Sequence, residues 1–131
     1  MVKKINARSF KPYGWVIEYP NKTKAVKSKN LFHIVLKEAR KTGWRIAYLV
    51  VRDKVIEKLE QHPDSFESFE PVCGKTIIFV ATPRSPGKIE SFLLTRPVIL
   101  KKGIWHAVIT KGKESEIKIT ENAGVKCNFL V

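Results

Sequence analysis

The chain of 131 residues carries 25 lysines and arginines against 12 aspartates and glutamates, a formal net charge of +13. This length fits one domain, residues 1–131, because two cores of about 65 residues each would be marginally stable. Hydrophobic residues make up 44% of the chain, which excludes a disordered polycation. The longest apolar runs, at 46–51 and 77–81, are far shorter than the ~20 residues of a membrane-spanning helix. Because no apolar stretch follows the first lysines and no CxxC pair is present, we expect a cytoplasmic protein.

The basic excess is concentrated at the front of the chain. Residues 1–37 hold nine basic residues and one acidic residue, and segment 22–29 is the densest part. Such a patch serves a nucleic-acid binder, which uses it to displace counterions from phosphates. The basic residues are mostly lysine, and no zinc finger, GxxG loop or RNP-like aromatic pair accompanies them. We therefore do not expect nucleic acid as a partner, and favour a solvated surface or a field that attracts a small anionic molecule.

Short apolar runs bounded by Gly, Pro or Asn follow one another along the chain. In chain order, the predicted strands cover residues 15–19, 44–51, 76–81, 89–94, 97–100, 104–110, 115–120 and 125–130. Residues 31–36 fit either a strand or a helix, and residues 54–61 alternate only loosely. The run 44–51 has the length and β-branched composition of a buried strand. Residues 66–72 are predicted to lead into a turn at Cys73 and Gly74.

Short strands at intervals of about 8–12 residues are typical of an antiparallel sandwich or barrel. No long helix is predicted anywhere in the chain. A Gly-rich phosphate loop and a nucleophile elbow are also absent from the sequence, so the familiar nucleotide-binding and serine-hydrolase motifs do not apply. The sequence therefore predicts an all-β domain.

Two of the three histidines, His62 and His106, are candidates for a site that also contains carboxylates. Glu60 and His62 are two residues apart, so on a strand their side chains point to the same face, and Glu67 follows five residues later. His106 lies on a later predicted strand. If these strands face each other across the mouth of a barrel, the four side chains converge. Two imidazoles and two carboxylates are suitable ligands for a divalent Mn, Fe, Ni or Zn ion, and they also serve as general acid and base without a metal.

Three stretches of this chain resemble the ureidoglycolate lyase family. Leu-Glu-Gln-His-Pro at 59–63, with an acid at 67, Phe-x-Pro at 69–71 and a Gly at 74, is similar to the central L-E-x-H-P motif of that family. Lys-Gly-Ile-Trp-His at 102–106 resembles its second motif, which ends in Trp-His. Phe-Lys-Pro-Tyr-Gly-Trp-Val-Ile-Glu at 10–18 resembles its N-terminal F-x-x-Y-G-x-V-I-E stretch. The three motifs occur in the family's order and with roughly its spacing.

The resemblance implies a fold, an assembly and a reaction. It implies a cupin-like double-stranded β-helix, that is, a jelly-roll barrel, in a protein that is a homodimer. The implied reaction is the release of urea from ureidoglycolate, a small polar anion, which leaves glyoxylate. Cupins in general bind a divalent metal through H-x-H-x(3,4)-E and a distant His.

Site residues follow from the same resemblance. Aligned with the cupin metal motif, the positions of the metal ligands are Glu60, His62, Glu67 and His106. His106 and Glu67 are also the candidates for the proton transfers that expel urea. Lys101 and Trp105 are the candidates for binding the substrate, with the ammonium holding its carboxylate.

The chain departs from the family pattern at two positions. Lys101 and Ala107 stand where the second motif usually has further histidines. A lysine does not replace an imidazole as a ligand at neutral pH without losing its proton. The incomplete histidine set leaves a second interpretation open, a non-catalytic cupin module that binds a small ligand.

Overall fold

The strands of this protein are short and contribute to two sheets. The structure, a computed structural model, describes residues 1–21 and 28–131, so most of the lysine-rich segment 22–29 lies outside the described residues. The strands are β1 (Val2–Lys4), β2 (Gly14–Val16), β3 (Trp44–Val51), β4 (Leu59–Gln61), β5 (Glu67–Cys73), β6 (Thr76–Ala81), β7 (Glu90–Leu93), β8 (Val98–Leu100), β9 (Trp105–Thr110), β10 (Ser115–Asn122) and β11 (Asn128–Leu130). The described residues contain no helix, which confirms the all-β prediction.

The two sheets have six and five strands. One has the order β1-β7-β6-β9-β4-β11 and the other the order β2-β8-β5-β10-β3. Every pairing is antiparallel except that of β1 with β7. Within the described part of the chain the sheets are not joined into one closed barrel, so the fold is an all-β, two-sheet arrangement.

The core lies between the inner faces of the sheets. In β10 the residues at 115, 117, 119 and 121 are buried and those between them are not, which is the period of two that a strand with one inward face requires. The N-terminal stretch closes one end, where Phe10, Tyr13 and Phe92 form a three-ring cluster with centroids 5.2–5.8 Å apart. The motif at 10–18 is therefore partly a packing motif.

Two glycines are required by the backbone. A Cβ at Gly14 would lie 1.8 Å from the backbone oxygen of Ile99 on the paired strand β8, so no side chain fits there. Gly74, between β5 and β6, has a φ of +77°, in the left-handed region that glycine tolerates best. Both glycines belong to the motifs that carry the family resemblance, and both have a structural reason to be glycine.

Most of the predicted strands occur with shifts of a few residues at their ends. Trp44–Val51 and Thr76–Ala81 are confirmed with the same limits. Residues 31–36 form neither a strand nor a helix, and strands β1 and β5 were not predicted. The expectation of burial at Trp44–Val51 was wrong, because β3 is an edge strand that pairs only with β10 and leaves most of its side chains exposed. Among the described residues, no helix is long and apolar enough to cross a bilayer.

Candidate active site

Three of the predicted site residues meet between the two sheets. His62 directly follows β4, and His106 lies on β9, the neighbour of β4 in the six-stranded sheet. Glu67 begins β5 and comes from the five-stranded sheet. The histidines thus approach from adjacent strands, rather than from strands that face each other, and the opposing sheet supplies the carboxylate. All three side chains are buried.

One carboxylate oxygen stands at the centre of this group. Glu67 Oε1 lies 3.1 Å from His62 Nε2 and 3.0 Å from His106 Nε2. Glu60 Oε1 lies 3.3 Å from the same His62 nitrogen. The two imidazole rings are 5.2 Å apart between centroids, and Phe69 packs edge-on against His106 at 5.4 Å. A polar group of this kind inside an apolar core is stable only when its charges and hydrogen bonds are matched.

The backbone fixes the orientation of both imidazoles. Nδ1 of His62 is 3.1 Å from the carbonyl oxygen of Lys126, and Nδ1 of His106 is 3.0 Å from that of Ile104. Because a carbonyl oxygen only accepts, each Nδ1 donates a hydrogen, and in the neutral ring the lone pair is then on Nε2. Both Nε2 atoms face Glu67, but no well-aligned hydrogen bond reaches Oε1 of that residue.

The charges of the group shift its pKa values in opposite directions. Burial alone would lower the pKa of His62, but the Glu67 carboxylate, helped by the Lys126 carbonyl and by Glu60, raises it to about 9. Burial alone would raise the pKa of Glu67, but His106 and His62 lower it to about 2. Without an ion, a proton on His62 therefore balances the Glu67 charge at neutral pH.

The donor set fits a divalent metal ion. His62, Glu67 and His106 offer ligand atoms that all lie within 4.8 Å of one another. Adjacent ligands about 2.1 Å from one ion in octahedral geometry are about 3 Å apart, which is close to the two Nε2–Oε1 distances. Carbonyl groups that hold Nδ1 of a ligating histidine are the usual outer support of such sites. The buried, unpartnered Oε1 of Glu67 is the oxygen that a cation would satisfy.

A cavity of about 360 Å³ leads to this group. The lining includes Glu60, Glu67 and His106 from the group, together with Lys54 and Lys58. Phe69 and several aliphatic side chains form the rest of its wall. The cavity has space for a small polar molecule and presents both ammonium groups and carboxylates to it.

The other predicted residues lie elsewhere. Lys101 is exposed and lines a separate cavity together with Lys11 and His33, and its backbone N–H donates to the carbonyl of Tyr13. Trp105 precedes His106 on β9, so its side chain points to the opposite face of the strand. The structure does not bring either residue to the cavity of His106, and their part in substrate binding stays a prediction.

Sequence reasoning missed two residues beside this group. Glu121 is the cross-strand partner of Glu67, is buried, and accepts a 3.0 Å hydrogen bond from Arg45 while its Oε1 has no partner. Burial and the Glu67 charge raise the pKa of Glu121. The sequence did contain a signal that Glu121 points inward, because Ile117 and Ile119 mark the inner face of β10 and Glu121 continues that alternation. Cys127, 3.5 Å from Nδ1 of His62, had no such signal.

Comparison with known families gives one result that covers nearly the whole chain. The sequence model of the family described as ureidoglycolate lyase matches residues 1–129. The chain belongs to the ureidoglycolate lyase family. The match includes ten of the eleven strands in full, all of β11 except Leu130, and all of the residues that meet at the buried group. No curated protein sequence matched this chain.

The buried group of His62, Glu67 and His106 is built from two of the motifs by which the chain resembles the ureidoglycolate lyase family. The stretch with His62 and Glu67 and the stretch with His106 are far apart in the sequence and belong to different motifs of the resemblance. The fold brings them within hydrogen-bonding distance of each other. The family therefore supports a ureidoglycolate-lyase-like function for this chain.

Proposed function

We propose that this protein is an enzyme that releases urea from ureidoglycolate, with a divalent metal held by His62, Glu67 and His106. The observation that supports this most is the meeting of these three side chains at about 3 Å in a member of the ureidoglycolate lyase family. We propose further that the two sheets are a variant of the cupin-like double-stranded β-helix. A Mn, Ni, Fe or Zn ion at this place would supply a Lewis acid toward a substrate oxygen.

The reaction needs one proton removed and one delivered. The hydroxyl of ureidoglycolate loses its proton as its carbon–oxygen bond becomes a carbonyl, and the carbon–nitrogen bond breaks with its electrons going to nitrogen. That nitrogen takes a proton, so glyoxylate and urea form without water being consumed. Where Glu67 and His106 hold the metal, we assign both transfers to Glu60, which is partly exposed and lines the cavity. Where no metal is bound, Glu67 and His106 carry them.

The substrate carboxylate requires a cation. Lys54 and Lys58 line the cavity that contains His106, and we propose them as the groups that meet this carboxylate. Nζ of Lys58 lies 4.3 Å from the ring centroid of Phe129, which keeps the ammonium near the cavity without neutralising it. The sequence-based candidate for this role, Lys101, lines a different cavity.

Purified protein is expected to form glyoxylate from ureidoglycolate, more with Mn²⁺, Ni²⁺ or Fe²⁺ than with a chelator. Because His106 is central to the group, His106→Ala should lower turnover at least ~100-fold, the usual range for a lost acid–base or ligand group. His33→Ala is the control, since this histidine is exposed and packs against Tyr19. Thermal unfolding verifies that each variant is folded. Wild-type protein that forms no glyoxylate above background with any of these metals would contradict the proposal.

The second candidate function is a small-ligand-binding module without catalysis. Lys101 and Ala107, at positions where the family usually has histidines, favour it. Binding of ureidoglycolate without release of urea or glyoxylate, measured by calorimetry on the same samples, identifies this function.

We also propose a homodimer formed through the edge strand β3. Trp44, Ile46 and Tyr48 are more than half exposed on this strand, and such apolar edges are commonly covered by another chain. Light scattering should give twice the 15.0 kDa chain mass for the wild type, and Ile46→Lys should give the single-chain mass. Val55→Lys, at an exposed residue outside the strands, is the control and should leave the dimer intact. A wild-type protein of 15.0 kDa would rule out this dimer.

A further inference from the structure

A second set of metal-binding side chains lies on the solvent side of His62. Strand β11 pairs antiparallel with β4, with Asn128 opposite Gln61, and this register continues to place Cys127 opposite His62. Cys127 Sγ is 3.5 Å from His62 Nδ1, and Glu60 Oε1 is 3.3 Å from Nε2 of the same ring. The three residues each offer a ligand atom, and these atoms lie within 4.8 Å of one another. Cys127 is exposed and Glu60 half-exposed, so an ion reaches this set directly from solvent.

We propose that Cys127, His62 and Glu60 form a surface site for a thiophilic divalent cation such as Zn²⁺. A thiolate, an imidazole and a carboxylate are the three ligand types that zinc takes in proteins. With Zn–S of about 2.3 Å and Zn–N of about 2.0–2.1 Å, tetrahedral geometry separates sulfur from nitrogen by about 3.5 Å. The observed separation of Cys127 Sγ from His62 Nδ1 is 3.5 Å. The thiol gives its proton to the buffer as the metal–sulfur bond forms.

An ion at this surface site changes what His62 does in the buried group. To bind the ion, Nδ1 needs a lone pair, so it gives up its hydrogen bond to the Lys126 carbonyl. The ring proton is then on Nε2, which faces Glu67 Oε1 at 3.1 Å. A neutral imidazole has one lone pair. His62 therefore binds an ion either at the surface site or together with Glu67 and His106, but not at both places at once. Given the proposed function, zinc at the surface site inhibits the enzyme.

Cobalt substitution tests the site without any assay of activity. Co²⁺ bound to a thiolate has a sulfur-to-metal absorption band in the near ultraviolet, whereas Co²⁺ held by His62, Glu67 and His106 has none. Titration of the wild type and of Cys73→Ser should produce this band, and Cys127→Ser should lack it. Cys73 is the matched control because it is also exposed and hydrogen-bonds Glu116 instead of a histidine. No band in the wild type, or a band that is lost with Cys73 and kept without Cys127, overturns the proposal.

Nitrogen NMR of the His62 ring tests the ligand atom. With one equivalent of Zn²⁺, the ring should have a metal on Nδ1 and a proton on Nε2 in the wild type but not in Cys127→Ser. A proton that stays on Nδ1 with zinc bound would place the ion either on Nε2, with Glu67 and His106, or on Cys127 without His62, and both results would overturn the proposal. Both measurements are independent of turnover. A protein that gives the band and the ring shift but no glyoxylate would have the zinc site and lack the proposed lyase function.

Discussion

Replacing Glu67 by glutamine is expected to lower both glyoxylate formation and metal affinity by at least ~100-fold, because it removes the negative charge that faces both His62 and His106. Glu67 Oε1 is the atom nearest to both His62 Nε2 and His106 Nε2. An amide at the same place carries no charge, so it neither attracts a cation nor stabilises a protonated imidazole. Glutamine has nearly the same shape as glutamate, so the packing around this buried position is expected to persist.

The measurements are glyoxylate release and calorimetric metal binding, with thermal unfolding to show that the variant is folded. Glu70→Gln is the matched control, because Glu70 is on the same strand, accepts a hydrogen bond from Ser68 and pairs with Lys118 away from the histidines. It should retain wild-type turnover and metal affinity. A Glu67→Gln protein that binds metal and turns over ureidoglycolate as the wild type does would refute the site described here.

The composition of the site could be predicted from the sequence better than its geometry. The motif residues His62, Glu67 and His106 were predicted to converge, and they do. The expected geometry was two strands facing each other across a barrel mouth, whereas β4 and β9 are hydrogen-bonded neighbours with Glu60 opposite His106. Periodicity gives the face on which a side chain lies but not which strand becomes its neighbour, because pairing is decided by contacts between distant parts of the chain.

Local composition also led to wrong predictions for two strands, β5 and β3. The β5 segment has Glu67, Ser68, Glu70 and Pro71, residues that are depleted in strands, and yet it is a central strand between β8 and β10. Some of its polar groups have partners there, such as the Ser68 hydroxyl, which accepts a hydrogen bond from the Thr120 backbone at 2.9 Å. Strand β3 is apolar on both faces, a pattern typical of burial, although it forms an edge. Tertiary position overrode composition in both strands.

Cys127 shows a different limit of sequence reasoning. Nothing in the sequence around it indicates a site, since the other members of its cluster are about 65 residues earlier in the chain. Its position depends on the register of β11 against β4, which follows from backbone pairing at the C-terminal end of the chain. A shift of one residue would turn Cys127 away from His62.

Raising the pH from 6.5 to 9 is expected to lower the free energy of unfolding of the metal-free protein by on the order of 2 kcal/mol through His62 alone. The folded protein holds the His62 proton up to a pKa of about 9, and the unfolded chain loses it near the ordinary value of 6.5. This stabilisation is therefore complete below pH 6.5 and is lost as the pH rises through 9. The Glu67 pKa of about 2 acts in the opposite direction, because its stabilisation is present above pH 4.5 and is lost as the pH falls toward 2.

Urea denaturation in the presence of a chelator, at several pH values from 6 to 9.5, measures this slope. His62→Gln removes the titrating group, so its stability should fall less over the same interval, and His33→Gln should behave as the wild type. Parallel curves for the wild type and His62→Gln would show that His62 does not hold the extra proton. A divalent metal should reverse the sign, since a ligating imidazole is deprotonated and protons compete with the ion less as the pH rises. Opposite slopes with and without metal would mean that the same imidazole serves as the partner of Glu67 in one state and as a ligand in the other.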